Sequence, residues 1–305
     1  MEFLYFLERI RIPTLNEFML GITYFGDEIA FLVTALGFFW CVDKKKGYYI
    51  LAVGFVGTVI NQFLKLLFRI PRPWVKDPKF TILEQAREAA TGYSFPSGHT
   101  QNSVGTFGTI ACTIRDKRVR IPAIALCVLV PLSRMYIGVH TPADILVAAA
   151  IAIVLIFVIR PAIFNKDGKY IPVLLGIMSV LAIALLYYVE FFPFPADVDK
   201  ENLASGIKNA YTLTGALFGL LIVYVVDEKW MHFPVKAVWW AQLVKVVLGL
   251  ALVMAVKIGM KEPLNMLLGE SVGRAARYFL MVLVAGALWP LTFKKFEKLG
   301  AGEKS

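Results

Sequence analysis

HTPADILVAAAIAIVLIFVIR, residues 140–160, begins with turn and capping residues and continues as fifteen apolar residues without a charge before Arg160. Thr141 suits a helix N-cap, Pro142 the first helical position, and Asp144 the third, where its carboxylate can cap the free amides. The run beyond Asp144 stays apolar over a length that approaches a bilayer crossing, which takes roughly 20 residues or somewhat fewer where neighbours bury the ends. This stretch therefore predicts a membrane helix over 143–160, with His140 and Asp144 at its mouth.

The rest of the chain repeats the pattern. Of 305 residues 58% are apolar and 18% charged, and the mean hydropathy of +0.66 is far from that of a soluble domain. Apolar blocks predict spans at 27–42, 47–68, 99–114, 121–138, 143–160, 171–190, 209–226, 238–258 and 274–293, of which the first and third are short. The fold class expected is all-α: a polytopic membrane helix bundle of about nine transmembrane spans. Residues 1–13, MEFLYFLERIRIP, space apolar and charged residues as an amphipathic interfacial helix does, rather than as a cleaved leader. Cys41, Cys112 and Cys127 lie in or beside apolar runs and read as small core residues.

The net charge of +10 does not point to nucleic acid, because the cations are spread over alternate loops. Lys44–Lys46, Arg115–Arg120, Arg160–Lys169, the Lys229/Lys236 segment and Lys294–Lys304 carry 16 Lys and Arg. The opposite set, residues 1–26, 69–98, 139–142, 191–208 and 259–273, carries 10. The positive-inside rule places the first set in the cytoplasm and the other on the extracytoplasmic side of the cell membrane.

Pro71 and Pro73 end the second span, and residues 69–97 form the longest connection in the first half. Gly26-Asp27-Glu28 would be costly inside a span, so Asp27 is expected to cap a helix running to about Trp40, with residues 14–25 along the outer interface. The sequence around 161–170, PAIFNKDGKY, marks a boundary between a core of residues 1–164 and a C-terminal region of residues 165–305 with four spans.

Three segments at the ends of apolar runs carry chemistry: Lys65-x6-Arg72-Pro73, Pro96-Ser97-Gly98-His99, and Ser133-Arg134-x5-His140-x3-Asp144. Two of the chain's three histidines lie in them. Lys65 alone could simply snorkel to the interface, but with Arg72 it can clamp an oxyanion. Ser97 caps a helix whose first-turn amides and positive dipole end form a phosphate cradle, with Gly98 easing the turn and His99 placed as a general acid. Asp144 can hold one ring nitrogen of His140 and leave the other free as a nucleophile. Arg134 adds a third cation. All three segments fall on one expected side of the membrane.

The triple motif, in this order, resembles that of the type 2 phosphatidic acid phosphatase family, over roughly residues 15–160. The resemblance implies that His140 attacks phosphorus with Asp144 as its partner, and that His99 protonates the leaving group and then activates water. It further implies that Lys65, Arg72, Ser97, Gly98 and Arg134 bind phosphate oxygens, and that the reaction needs no metal or other cofactor. The last four spans lie outside it. Added spans after the core are similar to those of the glucose-6-phosphatase and sphingosine-1-phosphate phosphatase branches, a likeness of layout that does not assign a substrate.

A site at the bilayer edge favours a lipid phosphate or diphosphate: phosphatidate, phosphatidylglycerophosphate, an isoprenoid diphosphate or a sphingoid phosphate. Phe191-Phe192-Pro193-Phe194-Pro195 reads as an interfacial belt. Lys257, Arg274 and Arg277 could make a second anionic site, although snorkelling with Glu262 and Glu270 as partners is the favoured reading. Hydrolysis of small soluble phosphate esters, and a non-catalytic lipid-binding or transport role, are the competing readings. Oligomeric state is not legible in the chain.

Overall fold

The computed structural model describes residues 1–88, 90–165 and 168–299. Its helices, in chain order, are α1 (Glu2–Arg9), α2 (Pro13–Thr23), α3 (Glu28–Gly37), α4 (Lys44–Phe68), α5 (Pro73–Lys76), α6 (Gly98–Thr113), α7 (Lys117–Tyr136), α8 (Pro142–Phe164), α9 (Ile171–Phe191), α10 (Lys200–Val226), α11 (Trp239–Gly259), α12 (Lys261–Leu268), α13 (Glu270–Leu283) and α14 (Phe293–Lys298). No strand occurs among the described residues.

Among the described residues, seven helical segments are long and apolar enough to cross a membrane: Lys44–Lys76, Lys117–Tyr136, Pro142–Phe164, Ile171–Phe191, Lys200–Met231, Trp239–Gly259 and Glu270–Lys298. An eighth arises if Pro13–Gly26 and Glu28–Val42, bent by 54° at Asp27, count as one broken span. The expected span at 99–114 corresponds to α6, which is only 16 residues long and rich in Gly, Ser and Thr. The protein is thus an all-helical, multi-pass membrane protein. Its contacts divide it into two compact units.

The first unit comprises Met1–Leu32, Tyr49–Asn165 and Pro193–Gly206. At its centre α6 and α7 pack as a pair joined by the short segment 114–116, and α6 also packs on α8. The buried face of α6 is made of small residues, including Thr100, Ser103, Gly105, Thr106 and Thr109, so its neighbours come close. A Cβ on Gly108 would stand 2.5 Å from Ile156 Cδ1. The tight turn between α6 and α7 brings the end of α7, with Arg134, back to the level at which α6 begins with His99.

The connection 69–97 is a packed layer rather than a free loop. Arg69 ends α4 in the left-handed region, with φ 49°. Ser94 N donates to Ile70 O at 2.8 Å, Leu83 N to Ile137 O at 3.1 Å, and Ser97 N to Asp144 O at 3.1 Å. Phe80 and Ile82 are buried with Leu4, Met135 and Ile145. Arg11 adds bonds to Tyr136 O at 3.0 Å and Thr81 O at 2.9 Å. The amphipathic α1 therefore seats its Leu4 face on this layer, while Phe3 and Phe6 remain exposed.

The second unit comprises Val33–Tyr48, Lys166–Phe192 and Ile207–Ser305. Within it α10 meets α13 across two glycines four residues apart. A Cβ on Gly215 would stand 2.0 Å from Ala275 O, and one on Gly219 would stand 2.9 Å from Phe279 O and 2.8 Å from Val282 Cβ. This is the small-residue contact by which membrane helices approach backbone to backbone. Polar groups are paired internally: Lys44 meets Asp227 at 2.7 Å and lies over the Phe233 ring. Lys245 does not snorkel; it is fully buried, donates to Val235 O at 3.1 Å and faces the Phe293 ring. Glu270 and Glu262 pair with Lys208 and Lys261, and Arg277 is buried.

A side chain at Gly215 cannot be absorbed by a rotamer change, because the obstructing atom is backbone. Gly215→Leu should cost on the order of 1–3 kcal/mol or more, lowering the thermal midpoint of detergent-solubilised protein by several degrees. Gly259→Ala, where a Cβ meets nothing within 4 Å, should leave it within a degree.

Candidate active site

The three motifs converge in the first unit, and local structure accounts for each position. Ser97 caps α6, accepting from Thr100 N at 3.3 Å, and the first amide to bond along the helix is Gln101 N, to Ser97 O at 3.0 Å. The amides of Gly98 and His99 therefore point out of the helix start, free for an anion. Thr141 and Asp144 close a reciprocal capping box at the start of α8, with Asp144 N on Thr141 Oγ1 at 3.4 Å and Thr141 N on Asp144 Oδ2 at 2.7 Å. The capping and functional readings of this stretch thus hold in the same geometry.

His140 lies between opposite partners and is 1% exposed. Its Nδ1 is 3.4 Å from Asp144 Oδ2 and 3.5 Å from Ser94 Oγ, while Ser94 Oγ donates to Asp144 Oδ2 at 2.6 Å. Its Nε2 is 2.9 Å from Arg72 NH1, a donor that can only meet a lone pair. The tautomer that satisfies both sides carries its proton on Nδ1 and leaves Nε2 as the nucleophilic nitrogen. Burial, reinforced by the nearby Arg72, Arg134 and Lys65, holds the ring well below its ordinary pKa and so neutral.

Three buried cations surround the ring. Arg72 lies past the end of α4, as the prolines predict, and is the N-cap of α5. Its guanidinium holds Gly92 O at 3.1 Å, Thr91 O at 2.7 Å and Val139 O at 3.0 Å, tying the 69–97 layer to the residue before His140. Lys65 Nζ is bonded to Tyr93 O and approaches Ser94 O at 3.5 Å. Arg134 donates through NH1 to Thr23 Oγ1 at 2.7 Å, and its buried Nε has no partner. His99 Nε2 lies 2.6 Å from Asp27 Oδ1.

All eight residues singled out by sequence therefore gather around one point. Three residues that sequence reasoning did not assign to the site also touch it: Ser94, Thr23 and Asp27. Ser94 stands two residues before the Pro96 motif, a proximity that could have drawn attention. Thr23 is 111 residues from Arg134 and carried no signal. Among the described residues no group of three or more His, Cys, Asp or Glu is arranged to hold a metal ion. Chemically, a cluster of three cations, free helix-start amides and a neutral imidazole nitrogen suits a tetrahedral oxoanion.

The unfilled Nε of Arg134 generates a direct test. Inorganic phosphate should raise the thermal midpoint of the purified protein, and Arg134→Lys, which loses the planar fork, should weaken the apparent affinity tenfold or more. Arg160→Lys, exposed near the other end of α8, should leave it unchanged.

Comparison with known proteins agrees with this geometry. Residues 45–167 match the PAP2 superfamily, and residues 211–302 match the PAP2 superfamily phosphatase, transmembrane extension. The chain is 31% identical to undecaprenyl-diphosphatase BcrC of Bacillus subtilis over 38% of its length and 56% of the relative's. It is 29% identical to phosphatidylglycerophosphatase B of Bacillus subtilis over 50% of its length and 76% of the relative's. It is 25% identical to sphingosine-1-phosphate phosphatase 1 of Mus musculus over 82% of its length and 60% of the relative's. The chain thus spans a little over half of the first relative and of the third. No solved structure matches it significantly. The core match and the C-terminal match, one after the other along a chain that carries all three motifs, make this protein a member of the PAP2 superfamily with that superfamily's transmembrane extension.

Proposed function

We propose that the protein is an integral-membrane phosphatase that hydrolyses a lipid phosphate or diphosphate through a phosphohistidine intermediate. The observation that carries this reading is the setting of His140: a neutral, buried ring, steered by Asp144 and Ser94 at Nδ1, with Nε2 directed at Arg72 among three buried cations.

In the first step Nε2 of His140 attacks phosphorus from the direction that Arg72 NH1 now occupies. Arg134, Lys65, Arg72 and the amides of Gly98 and His99 take the charge on the phosphoryl oxygens. Asp144 stabilises the imidazolium character that develops on His140. The P–O bond to the leaving alcohol or phosphate breaks, and His99 supplies its proton. In the second step His99 removes a proton from water, which attacks phosphorus and releases His140. The residues of the site perform both steps without a metal ion.

The substrate class is inferred from two features. The site lies where α4, α6, α7 and α8 begin or end, so a head group can reach the cations while its tail stays among apolar helices. The three relatives are named for undecaprenyl diphosphate, phosphatidylglycerophosphate and sphingosine 1-phosphate chemistry, all lipid phosphates. The excess of Lys and Arg in the alternate loops supports an active site on the extracytoplasmic side of the cell membrane. The division into a catalytic core at 1–164 and an accessory region at 165–305 belongs to the same reading.

Phosphate release from purified protein, across phosphatidate, phosphatidylglycerophosphate, an isoprenoid diphosphate and glucose 6-phosphate, tests the function. At least one lipid should be turned over in preference to the sugar phosphate, EDTA should not reduce the rate, and His99→Ala should lower kcat about 10²–10⁴-fold. Preference for glucose 6-phosphate, or loss in EDTA restored by a divalent ion, would contradict the proposal. Topology is tested separately. A single cysteine is placed at exposed Glu88 and, in a second variant, at exposed Lys117, in a background lacking the native three. An impermeant maleimide on intact cells should label position 88 and not 117; the reverse would turn the site inward.

A further inference from the structure

The turn between α2 and α3 is built onto His99. The chain breaks at Asp27 with a bend of 54°, and its carboxylate oxygen Oδ1 reaches to 2.6 Å from His99 Nε2. Three further contacts fix this approach. A Cβ on Gly26 would stand 2.9 Å from both Cβ and the carbonyl oxygen of His99, so only glycine permits the fit. Asn102, one turn along α6 from His99, donates to Gly26 O at 3.3 Å. Thr23, at the start of the turn, accepts from Arg134 at 2.7 Å.

The charges around His99 show what the carboxylate does. Arg134 faces it from α7 and Arg72 from the start of α5, with Asp27 as the opposing charge. His140, neutral, faces it from the connection between α7 and α8. Lys65 adds a third cation at the site from α4. Asp144 is engaged with Ser94, Thr141 and His140. Burial, and then the neighbouring cations, hold His99 down to a pKa of about 4 and favour the neutral imidazole, while the Asp27 carboxylate pulls the other way. A general acid has to carry its proton before the reaction.

We propose that Asp27 is a positioning residue that orients His99 and favours its protonated form for catalysis, with one ring N–H on Asp27 and the other left for the leaving oxygen. The proposal rests on the phosphatase reading above and adds to it the residue that makes the acid competent. As the P–N bond to His140 forms and the P–O bond breaks, the His99 proton passes to the departing oxygen, and the neutral ring stays bonded to Asp27. When water attacks, its proton returns to His99 as the P–N bond breaks. The ion pair is then restored.

The test compares wild type, Asp27→Asn and Asp27→Glu in the purified full chain, across pH, on two esters. Phosphatidate has an alkoxide leaving group that needs a proton; p-nitrophenyl phosphate does not. On phosphatidate, Asp27→Asn should lower kcat about 10²-fold at neutral pH with KM within threefold. The alkaline limb of its kcat profile should move down by about one pH unit or more. The loss on p-nitrophenyl phosphate should be at least tenfold smaller, and Asp27→Glu should stay within tenfold of wild type. Superimposable profiles, equal losses on both esters at every pH, or an increase in activity on removing the carboxylate would each overturn the proposal while leaving the phosphatase reading intact. Wild-type protein that releases no phosphate from either ester would overturn both.

Discussion

The site is governed by an excess of buried positive charge. Lys65, Arg72 and Arg134 are 8%, 7% and 1% exposed, and the fully buried carboxylate among them, Asp144, is engaged with His140 and Ser94. Removing a cation from water costs several kcal/mol unless a partner offsets it, and here carbonyl oxygens do only part of that work. Arg72 holds three carbonyls, Lys65 holds those of Tyr93 and Ser94, and Arg134 keeps a buried donor without an acceptor. Such a cluster is stabilised by an incoming anion. On the proposed mechanism, the cluster's preorganisation lowers the barrier as charge builds on phosphoryl oxygens.

The fold serves to hold those charges together against their mutual repulsion. The short turn between α6 and α7 puts His99 and Arg134 at one level, and the small residues on α6 let α8 come close enough for Ser97 N to reach Asp144 O. The 69–97 layer is fixed at Ile70, Ile137 and Asp144 by backbone bonds and by the burial of Phe80 and Ile82 under α1. Asp144 links structure to chemistry: one oxygen caps α8 through Thr141 N, accepts from Ser94 and faces His140. A change there would loosen the helix start and the setting of His140 together.

Much of this was legible in the chain, for a physical reason. Helix caps, first-turn prolines and apolar runs are local signals, so Ser97, Thr141 and Asp144 could be placed from their neighbours alone, and three short segments held all eight site residues. The illegible part depends on contacts across long stretches of chain. Asp27 read as a helix cap because its partner His99 lies 72 positions away, and Thr23 gave no sign of Arg134. The end of the second span at Pro71 and Pro73 was legible from the prolines, but the three carbonyls that Arg72 then holds were not. Lys245 carried no signal of its burial, because sequence does not reveal that Val235 O and the Phe293 ring await it. The span at 99–114 was expected from its apolar residues, and it takes shape as the 16-residue α6, packed between neighbours by its small ones.

The central claim is that His140 carries the phosphoryl group. Wild-type protein mixed with a turned-over lipid phosphate, quenched under alkaline conditions that preserve phosphohistidine, and digested for mass spectrometry reads this directly. The account predicts an acid-labile phosphate on the peptide containing His140, present in wild type, accumulating in His99→Ala with a substrate whose leaving group needs no proton, and absent from His140→Ala. Phosphate found on another residue, or turnover in His140→Ala within tenfold of wild type, would contradict it.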